Sequence, residues 1–373
     1  WQIATEGGRI NFNNMDVDPT VRHSYPSLLI GGGFTFMSLY AVNQTQVQRY
    51  LTMKDLRTAV RSLWLSIAIL LLLSALTCLS GLAIYSKYYG CDPVMSGRIE
   101  RRDQLLPLFV VETMGNIPGL SGLFVAGIFS ASLSTVSACL NSLAAVTLED
   151  YIKPLYLLWT DAEIPPARCA LVSKLLALSY GIVCLAMAFL SRLLGGILQA
   201  ALSIFGMVGG PIFGVFSLGL FFPSANESGA LAGLLVGLVV ALVMGFGGPK
   251  PPNTPLPLLT SSCPAAESST PLLTSLTSLA TNGTATGQYT EYFYLFRVSY
   301  LYYIVISFGI TLLVGLAVSG LASIRGRPTK DMNPDLFAPP LANYLRKKKL
   351  EKEMELNSVG KPDNESHAFS IHL

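Results

Sequence analysis

Long apolar runs separated by short polar connections dominate the chain. Seven of them reach roughly the 20 residues a helix needs to cross a hydrocarbon core: Tyr25 to Asn43, Val60 to Ser86, Pro118 to Asp150, Arg168 to Leu194, Ile197 to Phe222, Gly229 to Phe246 and Ser299 to Ser323. A two-residue alternation is nowhere visible, so the runs read as helices and not as strands of a barrel. The expected fold class is all-α: a multi-pass membrane protein with seven transmembrane helices. The run from Pro118 to Asp150 is longer than a core of about 30 Å requires, which predicts a tilt or a projection into the cytoplasm.

The connections differ in character. Residues 1–24 form a polar loop before the first run. Between the second and third runs, Lys87 to Arg102 is polar, and "DQLLPLFVVETMG" after it has the apolar spacing of a short helix at the interface. Residues 248–297 are rich in Pro, Ser and Thr and predict an exposed loop. Residues 326–373 form a charged tail with a short basic helix near Leu341 to Leu356, either solvated or with its lysines against anionic lipid.

Composition agrees: 51% of residues are hydrophobic and 13% charged, against about 25% charged in soluble domains. The net charge of +3 matters less than its placement. Arg49, Lys54, Arg57 and Arg61 crowd the first connection, and Arg325, Arg327, Lys330 and Arg346 to Lys349 follow the last run. Both clusters belong in the cytoplasm. With seven spans, the N-terminus is then extracellular and the C-terminus cytoplasmic. Of the sequons at Asn43, Asn226, Asn282 and Asn364, only Asn282 falls outside in that topology and is expected to carry a glycan. Of six cysteines, Cys78, Cys139, Cys169 and Cys184 lie in or beside runs, which leaves Cys91 and Cys263 in outer loops and predicts a disulfide between them. The start at Trp1, on a polar stretch, reads as a fragment of a longer protein.

The polar chemistry inside the runs is neutral. No Asp or Glu lies within an apolar core, so the carboxylate relay of a proton-driven carrier is not in view, and Glu149 and Asp150 only close the third run. That run instead holds "FSASLSTVSACLNS", dense in hydroxyls. A sodium ion entering a dry site must replace its water by other oxygens, and neutral hydroxyls and carbonyls suit a monovalent ion. Ala131, Ser134 and Thr135 share one helix face, and the Ala131 carbonyl can join both hydroxyls if the helix is locally loosened. The plainer alternative is that the hydroxyls bond back to carbonyls one turn earlier and aid packing. Two glycine clusters, "LLIGGGFTF" and "SIFGMVGGPIFG" with Pro211, predict helices that bend or break and expose backbone groups, or else helices that pack closely. Asn43, Gln44, Gln46 and Gln48 form either a cytoplasmic gate or an interfacial cap.

Three stretches in order, "YAVNQTQVQRYL", "GLFVAGIFSASLSTVSACLNSLAAVTLEDYIKP" and "LQAALSIFGMVGGPIFG", resemble the sodium/solute symporter family, in its branch of sodium-coupled monocarboxylate and sodium-dependent multivitamin transporters. The resemblance covers residues 1 to about 325. It implies the second half of a LeuT-like inverted-repeat transporter: residues 25–222 as the five core helices of the second repeat, 223–325 as two peripheral helices around the loop 248–297, residues 1–24 outside and 326–373 inside. It places the sodium site on Ala131, Ser134 and Thr135, with the remaining ligands in the absent first repeat. It also implies a substrate cavity lined by Phe36, Tyr40, Leu198, Gln199 and Leu202, whose aromatic walls suit a small organic anion. Biotin or pantothenate and monocarboxylates are the candidates, with a sodium/iodide-type carrier as an alternative. Plasma-membrane localisation follows, with sodium as the coupling ion and no cofactor.

Other classes fit less well. A seven-helix receptor should show Asp-Arg-Tyr where this chain has "LEDYIKP", and its "NPDLF" lies beyond the last run. An ion channel should show a filter-like loop. No enzymatic constellation surrounds His23, His367 or His372, and no nucleic-acid partner is expected. The terminal "SIHL" could enter a PDZ groove, or simply be a disordered end.

Overall fold

The computed structural model describes residues 1–190, 197–248, 256, 259, 263, 293–324 and 333–359. Asn282, Asn364 and the terminal Leu373 lie outside these, as do Arg325, Arg327 and Lys330. The described residues are helices and connections. In order they are α1 (Gln2–Glu6), α2 (Ser27–Val42), α3 (Gln44–Leu51), α4 (Leu56–Lys87), α5 (Leu105–Met114), α6 (Leu120–Thr160), α7 (Pro166–Leu190), α8 (Ile197–Phe221), α9 (Glu227–Phe246), α10 (Tyr303–Ile324) and α11 (Pro339–Val359).

Six of these are long and apolar enough to cross a membrane: α4, α6, α7, α8 from Ala200, α9, and α10 with the turn before it. The expected first span is the exception. Its counterpart α2 falls among the shorter apolar helices of 10–17 residues, which at about 1.5 Å each stops short of a hydrocarbon core. It is also irregular: a central α-helical stretch, Gly33–Met37, is flanked by wider π-type turns at Ser27–Gly32 and Ser38–Val42. Such turns leave backbone groups less regularly paired than α-helix does.

Local chemistry explains where the other helices start. Asn43 ends α2 and caps α3, its side chain accepting from the Thr45 amide at 3.0 Å. Asp55 caps α4, accepting from the Thr58 amide at 3.1 Å. Gly119 takes φ 84° where the chain turns into α6, a conformation that costs glycine little.

One expectation about helix ends is corrected. The third span does not stop at Asp150 but continues through a π-type turn, Thr147–Ile152, into Lys153–Thr160, a helical run of 41 residues. Pro154 has no amide to give a bond one turn back, and the wider turn just before it accommodates that loss. Lys153 pairs with Glu149 at 2.5 Å across the same turn. Of the two readings left open for the glycines and proline of the fifth span, the unbroken one holds: α8 runs past Pro211.

The chain divides into two compact units. The first comprises Trp1–Leu28, Leu39–Ser203 and Gly248–Ser299. Within it α6 packs against α7, α3 and α5, and α1 against α4. The outward apolar side chains of α4, α6 and α7, among them Leu65, Leu71, Leu123, Phe129, Leu178 and Leu185, remain exposed within the chain, as expected of surfaces that face lipid or further helices.

The second unit comprises Leu29–Ser38, Ile204–Gly247 and Tyr300–Leu373. Its centre is the packing of α9 on α10. Gly229, Gly233, Gly237 and Ala241 repeat every four residues along α9 and face Ser307, Thr311, Gly315 and Ser319 of α10, all buried. A methyl group at Gly237 would lie 2.1 Å from Thr311 Oγ1, and one at Gly233 2.5 Å from the Thr311 carbonyl oxygen. Small residues let two backbones approach this closely in lipid, where helices gain little from hydrophobic exclusion. The glycines of α8 serve the same purpose. A methyl at Gly210 would meet Ser307 Oγ at 2.0 Å, and one at Gly214 the Thr311 side chain at 2.7 Å. Phe34, Phe213 and Phe308 add a ring cluster with centroids 4.9 to 6.1 Å apart.

Candidate functional site

Ala131, Ser134 and Thr135 stand on α6 near the middle of its long apolar stretch. Spacings of three and four put them on one face. Thr135 Oγ1 lies 3.2 Å from the Ala131 carbonyl oxygen and donates to it, so a carbonyl and a hydroxyl are held together on an exposed face, with Ser134 exposed beside them. The expected local loosening is not present: α6 is regular from Leu120 to Val146. A regular helix keeps the Ala131 carbonyl in its own backbone ladder, and the Thr135 hydroxyl occupies its second lone pair, so an ion at this carbonyl has to displace that hydroxyl. The trio supplies part of the five or six oxygens a sodium ion requires, and the rest must come from elsewhere.

The polar stretch after α2 reaches this helix lower down. Gln48 Nε2 donates to the Ser142 carbonyl at 3.4 Å, and Thr45 Oγ1 lies 4.0 Å from Cys139 Sγ. Thr147 and Tyr180 hydroxyls meet at 2.8 Å and join α6 to α7. Periodicity alone does not reveal this contact, although a hydroxyl on each of two adjacent apolar helices is the signal that could have suggested it.

The five cavity residues are distributed unevenly. Phe36 falls in one unit and is 58% exposed, whereas Tyr40, Leu198 and Leu202 fall in the other. Leu198 is exposed, Leu202 half-buried, and the Gln199 side chain lies outside the described atoms. Tyr40 lines a cavity of about 400 Å³ together with Gln46, Arg49 and Tyr50. Phe36, Leu198 and Leu202 do not line it. Burial raises the Tyr50 phenol above its ordinary pKa, the neighbouring Tyr40 adds to this and the Arg49 charge opposes it. The hydroxyl is therefore protonated at neutral pH.

Cys91 and Cys263 are joined by a disulfide with Cα atoms 4.7 Å apart, and the Asp92 amide donates to the Leu259 carbonyl at 3.1 Å beside it. Among the described residues Cys78, Cys139, Cys169 and Cys184 are free thiols.

Comparison with known proteins supplies the family. The model of the sodium:solute symporter family matches residues 9–237, a stretch that contains the trio on α6. The chain belongs to the sodium:solute symporter family. Within it, a Drosophila melanogaster protein provisionally named a sodium-dependent multivitamin transporter is 45% identical over 94% of the chain and 59% of its own length. Mouse sodium-coupled monocarboxylate transporter 1 is 45% identical over 70% of the chain and 43% of its own length. The chain thus spans about half of the curated relatives it matches. A solved structure described as a substrate-bound, outward-open Na+-coupled sialic acid symporter aligns with 89% of the chain at a TM-score of 0.59 and 20% identity, covering 57% of that structure. The expected all-helical, LeuT-like fold is the one found, and the family is one of transporters rather than enzymes.

Proposed function

We propose that the whole protein is a plasma-membrane symporter that couples sodium entry to uptake of a small organic anion, a vitamin such as biotin or pantothenate or a monocarboxylate. Sodium binds at the Ala131 carbonyl and the Ser134 and Thr135 hydroxyls, completed by ligands outside this chain. Family membership over the stretch that holds the trio carries this reading. The Thr135 hydroxyl donates back to the Ala131 carbonyl at 3.2 Å, as the plainer reading also has it; what favours an ion is that these oxygens lie on an exposed face. Phe36, Tyr40, Leu198, Gln199 and Leu202 line the substrate path. Residues 25–222 serve as the second repeat and 223–325 as peripheral helices. With α2 counted as a seventh crossing despite its length, the N-terminal residues lie outside, where Asn282 is glycosylated, and residues 326–373 lie inside.

Uptake by the full-length carrier in cells tests the reading. Labelled biotin, pantothenate, lactate, nicotinate, iodide and glucose are compared with and without sodium. Saturable, sodium-dependent uptake of biotin, pantothenate or a monocarboxylate is expected. Sodium-dependent uptake of iodide alone would replace the organic anion by a halide, and uptake of every solute unchanged by sodium would remove the coupling.

A further inference from the structure

The connection between α3 and α4 is basic to an unusual degree. Arg49, Lys54, Arg57 and Arg61 fall within it or the turns beside it, all exposed, and none of the four forms an ion pair among the described residues. The acid in the same stretch, Asp55, is committed to Thr58, whose amide and hydroxyl both donate to it. Four cations against the single carboxylate of Asp55 leave a surplus of positive charge where α4 begins.

Beneath this charge lies the cavity of about 400 Å³ between α3 and α4. Its lining is mixed. Arg49 and Tyr50 stand at the α3 side with Met53, while Ser62, Ile69 and Leu70 line it along α4. The serines are satisfied locally, Ser62 Oγ donating to the Ala59 carbonyl at 2.8 Å and Ser66 Oγ to the Ser62 carbonyl at 2.7 Å. Tyr50 is not: its hydroxyl is buried without a hydrogen-bond partner in the protein. Buried hydroxyls nearly always have one, so this hydroxyl is open to a polar group that enters the cavity. In the same stretch of chain, Leu51, Leu56 and Trp64 are exposed at 79%, 80% and 69%. An exposed tryptophan between arginines and an apolar helix face is the usual composition of a membrane–water boundary.

We propose that this cavity binds an anionic glycerophospholipid. The headgroup phosphate sits at Arg49, the Tyr50 hydroxyl donates to a headgroup oxygen, and the acyl chains follow Ile69 and Leu70 along α4. Lys54, Arg57 and Arg61 attract the negative headgroup to the rim. A free phosphate shares the headgroup chemistry but has nothing to set against the apolar wall. Tyr40, which also stands on the proposed substrate path, lines this cavity, so the lipid site adjoins that path.

The test uses the full chain purified in neutral detergent and a fluorescently labelled dioctanoyl phosphatidylserine, with the matching phosphatidylcholine as reference and inorganic phosphate as competitor. Phosphatidylserine should bind at least tenfold more tightly than phosphatidylcholine. The combined Arg49→Ala, Arg57→Ala and Arg61→Ala variant should lose that preference. Tyr50→Phe, which keeps charge and volume, should weaken binding about threefold or more, whereas Lys347→Ala, Lys348→Ala and Lys349→Ala on α11 should leave it unchanged. Equal binding of the two lipids overturns the proposal. So does displacement of the probe by millimolar inorganic phosphate, which would make this a free-anion site. Wild-type affinity in Tyr50→Phe would likewise remove the cavity, leaving only diffuse surface charge.

Discussion

At the scale of single residues, the weight falls on two alcohols one position apart. Replacing Ser134 or Thr135 by Ala in the complete protein removes one oxygen from the proposed sodium site without changing charge. A loss of about 1.4 kcal/mol in ion binding corresponds to a tenfold weaker affinity. Sodium-activation curves of uptake should accordingly show half-maximal sodium raised by about that factor in each variant, with maximal uptake at saturating sodium largely retained. An unchanged half-maximal sodium in both would reduce the hydroxyls to packing groups. The position of the trio was legible in the sequence, because spacing alone places Ala131, Ser134 and Thr135 on one face. The state of the backbone beneath them was not. Whether a carbonyl leaves its ladder depends on what packs around the helix, and the hydroxyl pattern is the same either way. The unpartnered hydroxyl of Tyr50 is invisible for the same reason: nothing in "QVQRYL" tells which side chain will be enclosed.

At the scale of elements, small residues and their neighbours decide more than propensity does. The glycines of α8 and α9 could have broken helices or brought them together, and the sequence alone left both open. They bring them together, because Ser307, Thr311 and Ser319 lie opposite on α10. A like-for-like comparison checks this. Gly237→Ala places a methyl 2.1 Å from Thr311 Oγ1, whereas Gly320→Ala on α10 meets nothing within 4 Å. The first should destabilise by about 1–3 kcal/mol through overpacking, and the second should be neutral or slightly stabilising, since Ala is the better helix former. Thermal unfolding in detergent reads the difference, and equal midpoints for the two variants would refute close packing at Gly237. The end of α6 was misjudged for a related reason. "LEDYIKP" carries the charge and the proline that usually close a helix, but the Glu149–Lys153 pair and one wide turn carry it across.

At the scale of the whole molecule, six of the seven expected spans were legible in the sequence, and the seventh is the one irregular place among them. Seven runs gave six helices of spanning length, and the seventh, α2, carries the "GGG" that marks its irregularity. The join between Cys91 and Cys263 spans 172 residues of sequence, and it followed from counting cysteines outside apolar runs rather than from any geometry. It has a direct chemical readout. Thiol labelling of the unfolded, unreduced protein should modify four of the six cysteines, and reduction should raise this to six. Six labelled positions before reduction would exclude the link. If the proposed topology is right, the two cysteines also face the oxidising side, where such a bond persists.

The helix that carries the proposed ion ligands does not end where the bilayer does. Its 41 residues at about 1.5 Å each make a rod of some 60 Å, twice the thickness of about 30 Å it has to cross. If the apolar stretch up to Val146 fills the bilayer, the part beyond the wide turn Thr147–Ile152 stands clear of lipid as a lever hinged at that turn. A swing at the ion's end would be passed to the far tip, and that tip carries Trp159, 81% exposed. An indole at the end of such an arm would report the ion's arrival at a distance, as a change in its emission, before any solute has moved.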